Sequence, residues 1–91
     1  MQTKNDDQKF QLKLALSNVV KKLRFKTKKS LFLFSSENDI SMSVLSMIER
    51  AQKDPQLSTI FKLAEAFDIE PSKFIKLVSQ ELPQDFHFID K

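Results

Sequence analysis

The fold is decided by residues 30–48, which read SLFLFSSENDISMSVLSMI. Apolar side chains at helical spacing predict two short helices that begin in this stretch, 31–37 and about 42–50. Between them stand Asn38 and Asp39, the residue types that, after glycine, best tolerate a left-handed backbone. The stretch therefore predicts two short helices joined by a tight turn.

Serines and apolar side chains stand at the positions that such a pair of helices needs. Ser30 and Ser41 each precede a helix and are favoured N-cap residues. We expect the small Ser35 where the two helices cross closely, and Ile40 as an apolar plug in the turn. The spacing is that of a helix-turn-helix motif. Because two helices alone cannot enclose a core, flanking helices are required.

The rest of the chain supplies three more helices, so we expect a compact, all-α, five-helix fold. The first runs over about 7–27 and the fourth over about 57–67. The fifth begins at Pro71, because proline suits the first position of a helix. The residues expected to anchor these three helices in the core are Phe10, Leu14, Val20, Leu23, Leu57, Ile60, Phe61, Ala64, Phe67, Phe74, Ile75 and Val78.

One domain is expected, because a chain of 91 residues is too short for two separate cores. Its predicted parts are a polar N-terminal segment, 1–8, a helix-turn-helix domain, 9–82, with the motif itself at about 30–50, and a short aromatic C-terminal tail, 83–91. The large apolar side chains of the tail are Phe86, Phe88 and Ile89. Their presence favours a docking or dimer contact over a cofactor site.

The composition argues against an enzyme. The chain has no glycine and no cysteine, so it cannot build a phosphate-binding glycine loop, a nucleophile elbow, a disulfide or a cysteine–zinc site. Its one histidine, His87, makes a histidine-based metal site or triad implausible. We therefore expect no catalytic residue, no metal and no cofactor. The lack of cysteine, of a secretion signal and of a membrane-spanning apolar run favours the cytoplasm.

Charge is unevenly distributed along the chain. Residues 8–36 hold eight basic side chains and no acidic one, whereas residues 37–91 hold six basic and ten acidic side chains. Six of the cations fall within residues 21–29. Such a block is typical of a surface that meets nucleic acid or a membrane, although a merely solvated helix face would look the same.

Residues 20–78 resemble the phage-repressor-like family of helix-turn-helix DNA-binding domains, the Cro/Xre or lambda-repressor-like type. The best-matched segment, 48–64, reads IERAQKDPQLSTIFKLA and is similar to the family's end of the recognition helix, loop, proline and L-x-x-L-x-x-L-A helix. Residues 67–71, FDIEP, resemble its entry into the fifth helix. The resemblance also implies a partly buried ion pair between Arg24 and Glu49.

What the resemblance implies is binding of double-stranded DNA by a major-groove helix at about 42–50, usually as a homodimer on a palindromic site. The implied base-contacting residues are Met42, Ser43, Ser46 and Met47. The implied phosphate-contacting residues are Lys21, Lys28, Lys29, Ser30, Val44, Arg50, Gln52 and Lys53. We expect no membrane contact, because the basic first helix must also supply the core, and no small-molecule ligand is evident.

The chain departs from the family pattern on the second helix and on the recognition helix. Leu31 replaces a polar phosphate-contacting residue, Lys29 an apolar one, and Phe32 a polar one, so the second helix could be rolled to place Phe32 in the core. Residues 42–47 lack the Arg, Lys, Asn and Gln side chains that read bases in pairs of hydrogen bonds. A protein-interaction module on the same fold, antitoxin-like or an accessory subunit, is therefore the alternative.

Three helix ends lack the glycine that relatives often place there. Lys28, Asp39 and Ala51 stand at these positions. Asp39 can take the left-handed conformation, but for Lys28 and Ala51 it is costly. We therefore expect the first and third helices to be extended or to close in a different way.

Overall fold

Five helices make up the part of the chain that the computed structural model describes, residues 4–90. They are α1 Lys4–Thr27, α2 Leu31–Glu37, α3 Met42–Glu49, α4 Leu57–Ala66 and α5 Pro71–Gln80. No strand occurs within these residues, so the all-α prediction is confirmed. Residues 1–3 of the predicted N-terminal segment and residue 91 of the predicted tail lie outside the described residues. Helix α1 runs through the predicted boundary between residues 8 and 9.

The core lies where α1, α3 and α5 meet, closed by α2 and α4. Its fully buried large side chains are Phe34, Phe74, Leu45, Ile48, Leu63 and Val20. Phe67 lies between two of these rings, with ring centroids 4.8 Å from Phe34 and 6.5 Å from Phe74. Such stacked aromatic pairs add to the stabilisation from buried area. The stack joins α2, the end of α4, and α5 into one core.

The two helices of the motif cross as expected. Ser35 is buried, and its hydroxyl donates to the Phe32 carbonyl, so the small side chain leaves no unpaired polar atom at the crossing. Ile40 is buried beneath the turn. The suggested roll of α2 is wrong, because Phe32 is 67% exposed whereas Leu31 packs against the core. The ordinary register of α2 is kept, and Phe32 points to solvent.

Several residues predicted to anchor helices in the core are instead exposed: Phe10, Leu14, Leu57, Phe61 and Ile75. The buried stripe of α4 runs through Ile60, Leu63 and Ala64. Phe61 lies about 100° around the helix from Ile60, since each residue advances an α-helix by that angle. Ile75 is displaced in the same way from the buried Phe74. Helical spacing alone could not separate Phe61 and Ile75 from the buried residues that precede them.

Four helices end on a non-glycine residue in the left-handed conformation. The φ angles are 62° at Lys28, 53° at Asp39, 59° at Ala51 and 57° at Asp68. The expectation that α1 and α3 would close differently at Lys28 and Ala51 is therefore wrong. The backbone makes the closure that glycine usually makes, at a conformational cost of about 1–2 kcal/mol for each residue.

The hydrogen bonds at these ends explain why the costly conformation persists. After α3, the Ala51 N–H donates to the Ile48 carbonyl at 3.1 Å and the Gln52 N–H to the Met47 carbonyl at 2.8 Å, which is a Schellman closure. After α1, the Thr27 hydroxyl donates to the Arg24 carbonyl and accepts from the Lys29 N–H. Each closure satisfies carbonyls that the helix end would otherwise leave unpaired.

Ala51→Gly is expected to raise the free energy of unfolding by about 0.5–1 kcal/mol, because relief of the left-handed strain outweighs the added freedom of the unfolded chain. The melting temperature should rise by about 2–8 °C for a chain of this size. Thermal unfolding followed by circular dichroism measures the change. Ala66→Gly, at the last residue of helix α4 where φ is not positive, is the matched control and should lower stability. An Ala51→Gly variant less stable than the parent would contradict the assigned φ.

Candidate nucleic-acid interface

Helix α3 is held with one face in the core and the other open to solvent. Its N-cap is Ser41, whose hydroxyl accepts the Val44 N–H at 3.4 Å. Leu45 and Ile48 are fully buried and fix the rotation of the helix about its axis. The residues between them therefore face outward or lie at the edge.

Two thioethers and two hydroxyls make up the predicted base-contacting set on α3. Met42 is 49% exposed and Ser43 is exposed, whereas Ser46 and Met47 are half-buried. The Ser43 hydroxyl lies 3.0 Å from that of Ser41, so it shares a hydrogen bond with the N-cap. Met42 is consequently the exposed large apolar side chain on the N-terminal turn, the part of a recognition helix that enters the groove first.

A buried ion pair connects α3 to α1. The Arg24 guanidinium donates from Nε to Glu49 Oε2 at 2.6 Å and from Nη2 to Glu49 Oε1 at 3.0 Å, and both side chains are buried. The hydrogen bond to Glu49 raises the pKa of Arg24 above its ordinary value, against the opposing effect of burial. The pair that the family resemblance implied is thus present, in the two-pronged geometry that arginine and carboxylate prefer.

The same cluster fixes the backbone on either side of the pair. Arg24 Nη1 donates to the Lys29 carbonyl at 2.8 Å, which ties the corner between α1 and α2 to α3. The Ser17 hydroxyl is buried and donates to the Glu49 carbonyl at 2.6 Å, near the end of α3. As a result, α3 is tied to the corner between α1 and α2, residues 21–29, which we call the basic corner.

The lysines of this corner differ in what their side chains do. Lys28 is exposed and is the left-handed residue that follows α1. Lys21 is half-buried on the last turns of α1. Neither makes an ion pair within residues 4–90, so both can meet an anion. Lys29 Nζ instead pairs with Glu37 Oε1, which offsets its charge. Lys22 pairs with Glu81 at 3.2 Å.

Some of the predicted phosphate contacts already have structural partners. The Ser30 hydroxyl accepts the Leu33 N–H at 3.1 Å and caps α2. Val44 packs its side chain against the core and donates its N–H to Ser41. Arg50 caps the end of α3 and is exposed, with Nε 3.3 Å from the Ser46 carbonyl. Gln52 and Lys53 follow in the loop, exposed and half-buried.

Sequence reasoning missed two hydroxyls that build this region, those of Ser17 and Thr27. Ser17 stands three residues from the apolar Leu14 and Val20 on a long helix, and seven positions before Arg24, so it shares a face with them. A polar residue on an apolar face at that spacing was the available signal. Thr27 gave none, because its role depends on the left-handed turn that follows it.

Residues 38–74 match the family model described as helix-turn-helix, which is of the Cro/C1 type. This match is consistent with a lambda-repressor-like helix-turn-helix domain. The match begins in the turn, covers α3 and α4, and ends on the first turn of α5. The family consists of DNA-binding regulators, and double-stranded DNA is its partner. Searches among curated proteins and among solved structures found no match to the chain.

The described part of the chain, residues 4–90, carries neither a membrane span nor a metal cluster. None of the helices within residues 4–90 has both the length and the apolar character that crossing a bilayer requires. Nor does this part of the chain bring three or more histidine or carboxylate side chains together at a distance that could hold a metal ion. The features of this part of the chain that suit a nucleic acid are the exposed face of α3 and the basic corner.

Proposed function

We propose that this chain is a cytoplasmic, sequence-specific DNA-binding transcriptional regulator that places α3 in the major groove and binds a palindromic site as a homodimer. The observation that carries the proposal is the buried Arg24–Glu49 pair, which locks the open face of α3 to the basic corner. A recognition helix needs such a fixed relation, since phosphate contacts set the register in which side chains reach the bases.

Phosphate binding is assigned to Lys21, Lys28, Arg50, Gln52 and Lys53, which flank α3 at the end of α1 and in the loop after α3. Ser30 and Lys29 are expected to contribute less, because both already have partners within the chain. Base contact is assigned to Met42, Ser43, Ser46 and Met47. Thioethers meet thymine methyl groups, and serine hydroxyls bond to more than one base, so we expect modest sequence preference.

Selection of bound sequences from random double-stranded DNA, run at two salt concentrations, tests this proposal. Enrichment of a palindromic motif at low salt would support both base reading and two-fold assembly. Affinity should fall steeply as salt rises, because each phosphate contact releases counterions. Binding that shows no enrichment and no salt dependence would contradict it.

Lys21→Glu combined with Lys28→Glu is expected to weaken binding to every DNA sequence by about 10–100-fold, because two phosphate contacts become repulsive. The slope of log affinity against log salt should also become shallower, by about 1 for each phosphate that is no longer neutralised. Fluorescence anisotropy titrations at several salt concentrations measure both quantities.

Lys73→Glu combined with Lys76→Glu is the matched control, since it changes the net charge equally on the exposed face of α5. It should weaken binding far less. Equal reductions in affinity for the two double variants would show that only overall charge matters and that the basic corner is not the phosphate site.

The alternative function is a protein-interaction module on the same fold, and one observation favours it. The exposed apolar side chains of Phe32 and Met42 lie on the two helices of the motif, and Met42 is on the face that would read DNA. Apolar surface of this kind suits a protein partner at least as well as a base edge. Recovery of a defined protein partner together with no DNA enrichment would decide for this alternative.

A further inference from the structure

Apolar side chains remain uncovered at the end of the molecule where α1 begins and the chain leaves α5. We call this surface the terminal patch, and its residues are Phe10, Leu14, Leu82, Pro83, Phe86 and Phe88. Phe10 is 51% exposed and Leu14 is 42% exposed. The two side chains lie one turn apart on the same face of α1. None of these residues belongs to the candidate DNA interface.

The terminal patch is continuous. Leu14 lines a groove of about 210 Å³ together with Leu82 and Pro83. Phe86 lies beside the same two residues on the other side, and its ring contacts that of Phe88 edge to face, with centroids 5.4 Å apart. The side chains of α1 and those of the tail therefore form one surface.

The tail is folded against α1 and does not hang free. The Gln8 side-chain amide donates to the His87 carbonyl, which joins the first turns of α1 to the tail. Within the tail, the Phe86 N–H donates to the Pro83 carbonyl at 3.1 Å, and the His87 ring contacts the Asp85 carbonyl at 2.7 Å. The surface is thus formed before any partner arrives, which lowers the entropic cost of association.

The size of the terminal patch fits a small dimer. With 150–250 Å² as the area of a large apolar side chain, the exposed fractions of Phe10, Leu14 and Phe88 sum to about 200–330 Å² of apolar surface. A standard interface covers about 800 Å² per partner, of which about 57–65% is apolar. These three side chains therefore supply about half of the apolar area of a standard two-fold interface, and the other residues of the patch and its polar rim add to it.

The charges around the terminal patch complement one another across a two-fold axis. Lys9 and Lys13 flank the α1 side, and Asp85 flanks the tail side. None of the three makes a side-chain ion pair within residues 4–90. Rotation by 180° about an axis through the patch brings the lysines of one copy towards Asp85 of the other. A surface of this design is self-complementary, as an isologous dimer interface must be.

We propose that the terminal patch binds a second copy of this chain, with Phe10 and Leu14 of one copy against Phe86 and Phe88 of the other. The inference rests on the homodimer in the proposed function and assigns its interface. Along α1, about 27 Å of helix separates Phe10 from Lys28 and about 10 Å separates Leu14 from Lys21, and α3 carries no residue of the patch. Both copies can consequently keep α3 and the basic corner free for DNA.

Sedimentation equilibrium of the full chain without DNA tests the interface directly. The parent should be a dimer at micromolar concentration, and Leu14→Asp and Phe88→Asp should each raise the dimer dissociation constant at least tenfold. Phe61→Asp is the matched control, since Phe61 is 46% exposed on α4 outside the terminal patch, and it should leave the constant unchanged. A parent that stays monomeric, or a dimer indifferent to both patch variants, overturns the proposal. The first outcome would leave the patch to a different partner.

A charge exchange keeps the test independent of any loss of folding. Lys13→Glu and Asp85→Lys should each weaken the dimer several-fold, and the double variant should regain most of the parent affinity. Failure of the double variant to recover would exclude the proposed pairing across the two-fold axis.

DNA measurements separate this proposal from the proposed function. A Leu14→Asp monomer should bind a single half-site as the parent does but lose at least tenfold in affinity on the complete palindrome. A patch-dependent dimer that binds no DNA would refute the regulator and keep the interface. DNA binding by a monomeric parent would refute the interface, and the homodimer with it, but would keep the DNA-binding regulator.

Discussion

Arg24→Met on its own is expected to lower the free energy of unfolding by about 3–5 kcal/mol, because it leaves the Glu49 carboxylate buried without a cation. Single domains have total stabilities of about 5–15 kcal/mol, so this loss removes a large share. Urea and thermal unfolding followed by circular dichroism should show the change in the midpoint. A variant that unfolds too readily to be titrated is consistent with the upper end of the range.

The size of this loss follows from how completely the pair is satisfied. Both carboxylate oxygens of Glu49 accept hydrogen bonds from Arg24, and the remaining guanidinium nitrogen, Nη1, donates to the Lys29 carbonyl. No buried side-chain nitrogen or oxygen within residues 4–90 lacks a hydrogen-bond partner. Removing one member therefore creates an unpaired charge where there was none, and that penalty exceeds the net value of the pair.

The double variant Arg24→Met with Glu49→Leu distinguishes the buried charge from impaired packing. It should recover most of the lost stability, since apolar side chains of similar volume can replace a buried ion pair at little cost. Lys22→Ala is the control for an exposed pair and should cost about 1 kcal/mol or less. If the double variant were as unstable as Arg24→Met, the unpaired carboxylate would not be the cause.

The helices of this protein were predictable because their boundaries depend on local chemistry. Ser30 and Ser41 each accept the backbone N–H three residues ahead, and Pro71 opens α5, as their positions in the sequence indicated. The Arg24–Glu49 pair lies 25 residues apart in the chain, and spacing or composition could not have joined its members. Only the family resemblance pointed to it.

The left-handed helix ends could not be predicted from residue preferences. Lys and Ala are disfavoured at positive φ by about 1–2 kcal/mol, yet Lys28 and Ala51 adopt it. The closing hydrogen bonds and the burial of the following helix outweigh that local penalty. The ion pair between Lys29 and Glu37 could not be predicted either, because it depends on how α2 turns away from α1.

Phe34→Ala is expected to lower the free energy of unfolding by about 3–5 kcal/mol, because it empties a fully buried site in the core. Phe34 stacks on Phe67, which in turn stacks on Phe74, so the cavity opens beside the ring that joins α2 to α5. The same unfolding measurements apply. The loss is the largest that a single truncation on α2 should produce.

Phe32→Ala is the matched control, two residues away on the same helix with the same change in side chain. Phe32 is mostly exposed, so its truncation should change the free energy of unfolding by no more than about 0.5 kcal/mol. The contrast between the two variants tests the register of α2 directly. If Phe32→Ala proved the more damaging, α2 would be rolled about its axis, and the surface it presents beside α3 would have to be reassigned.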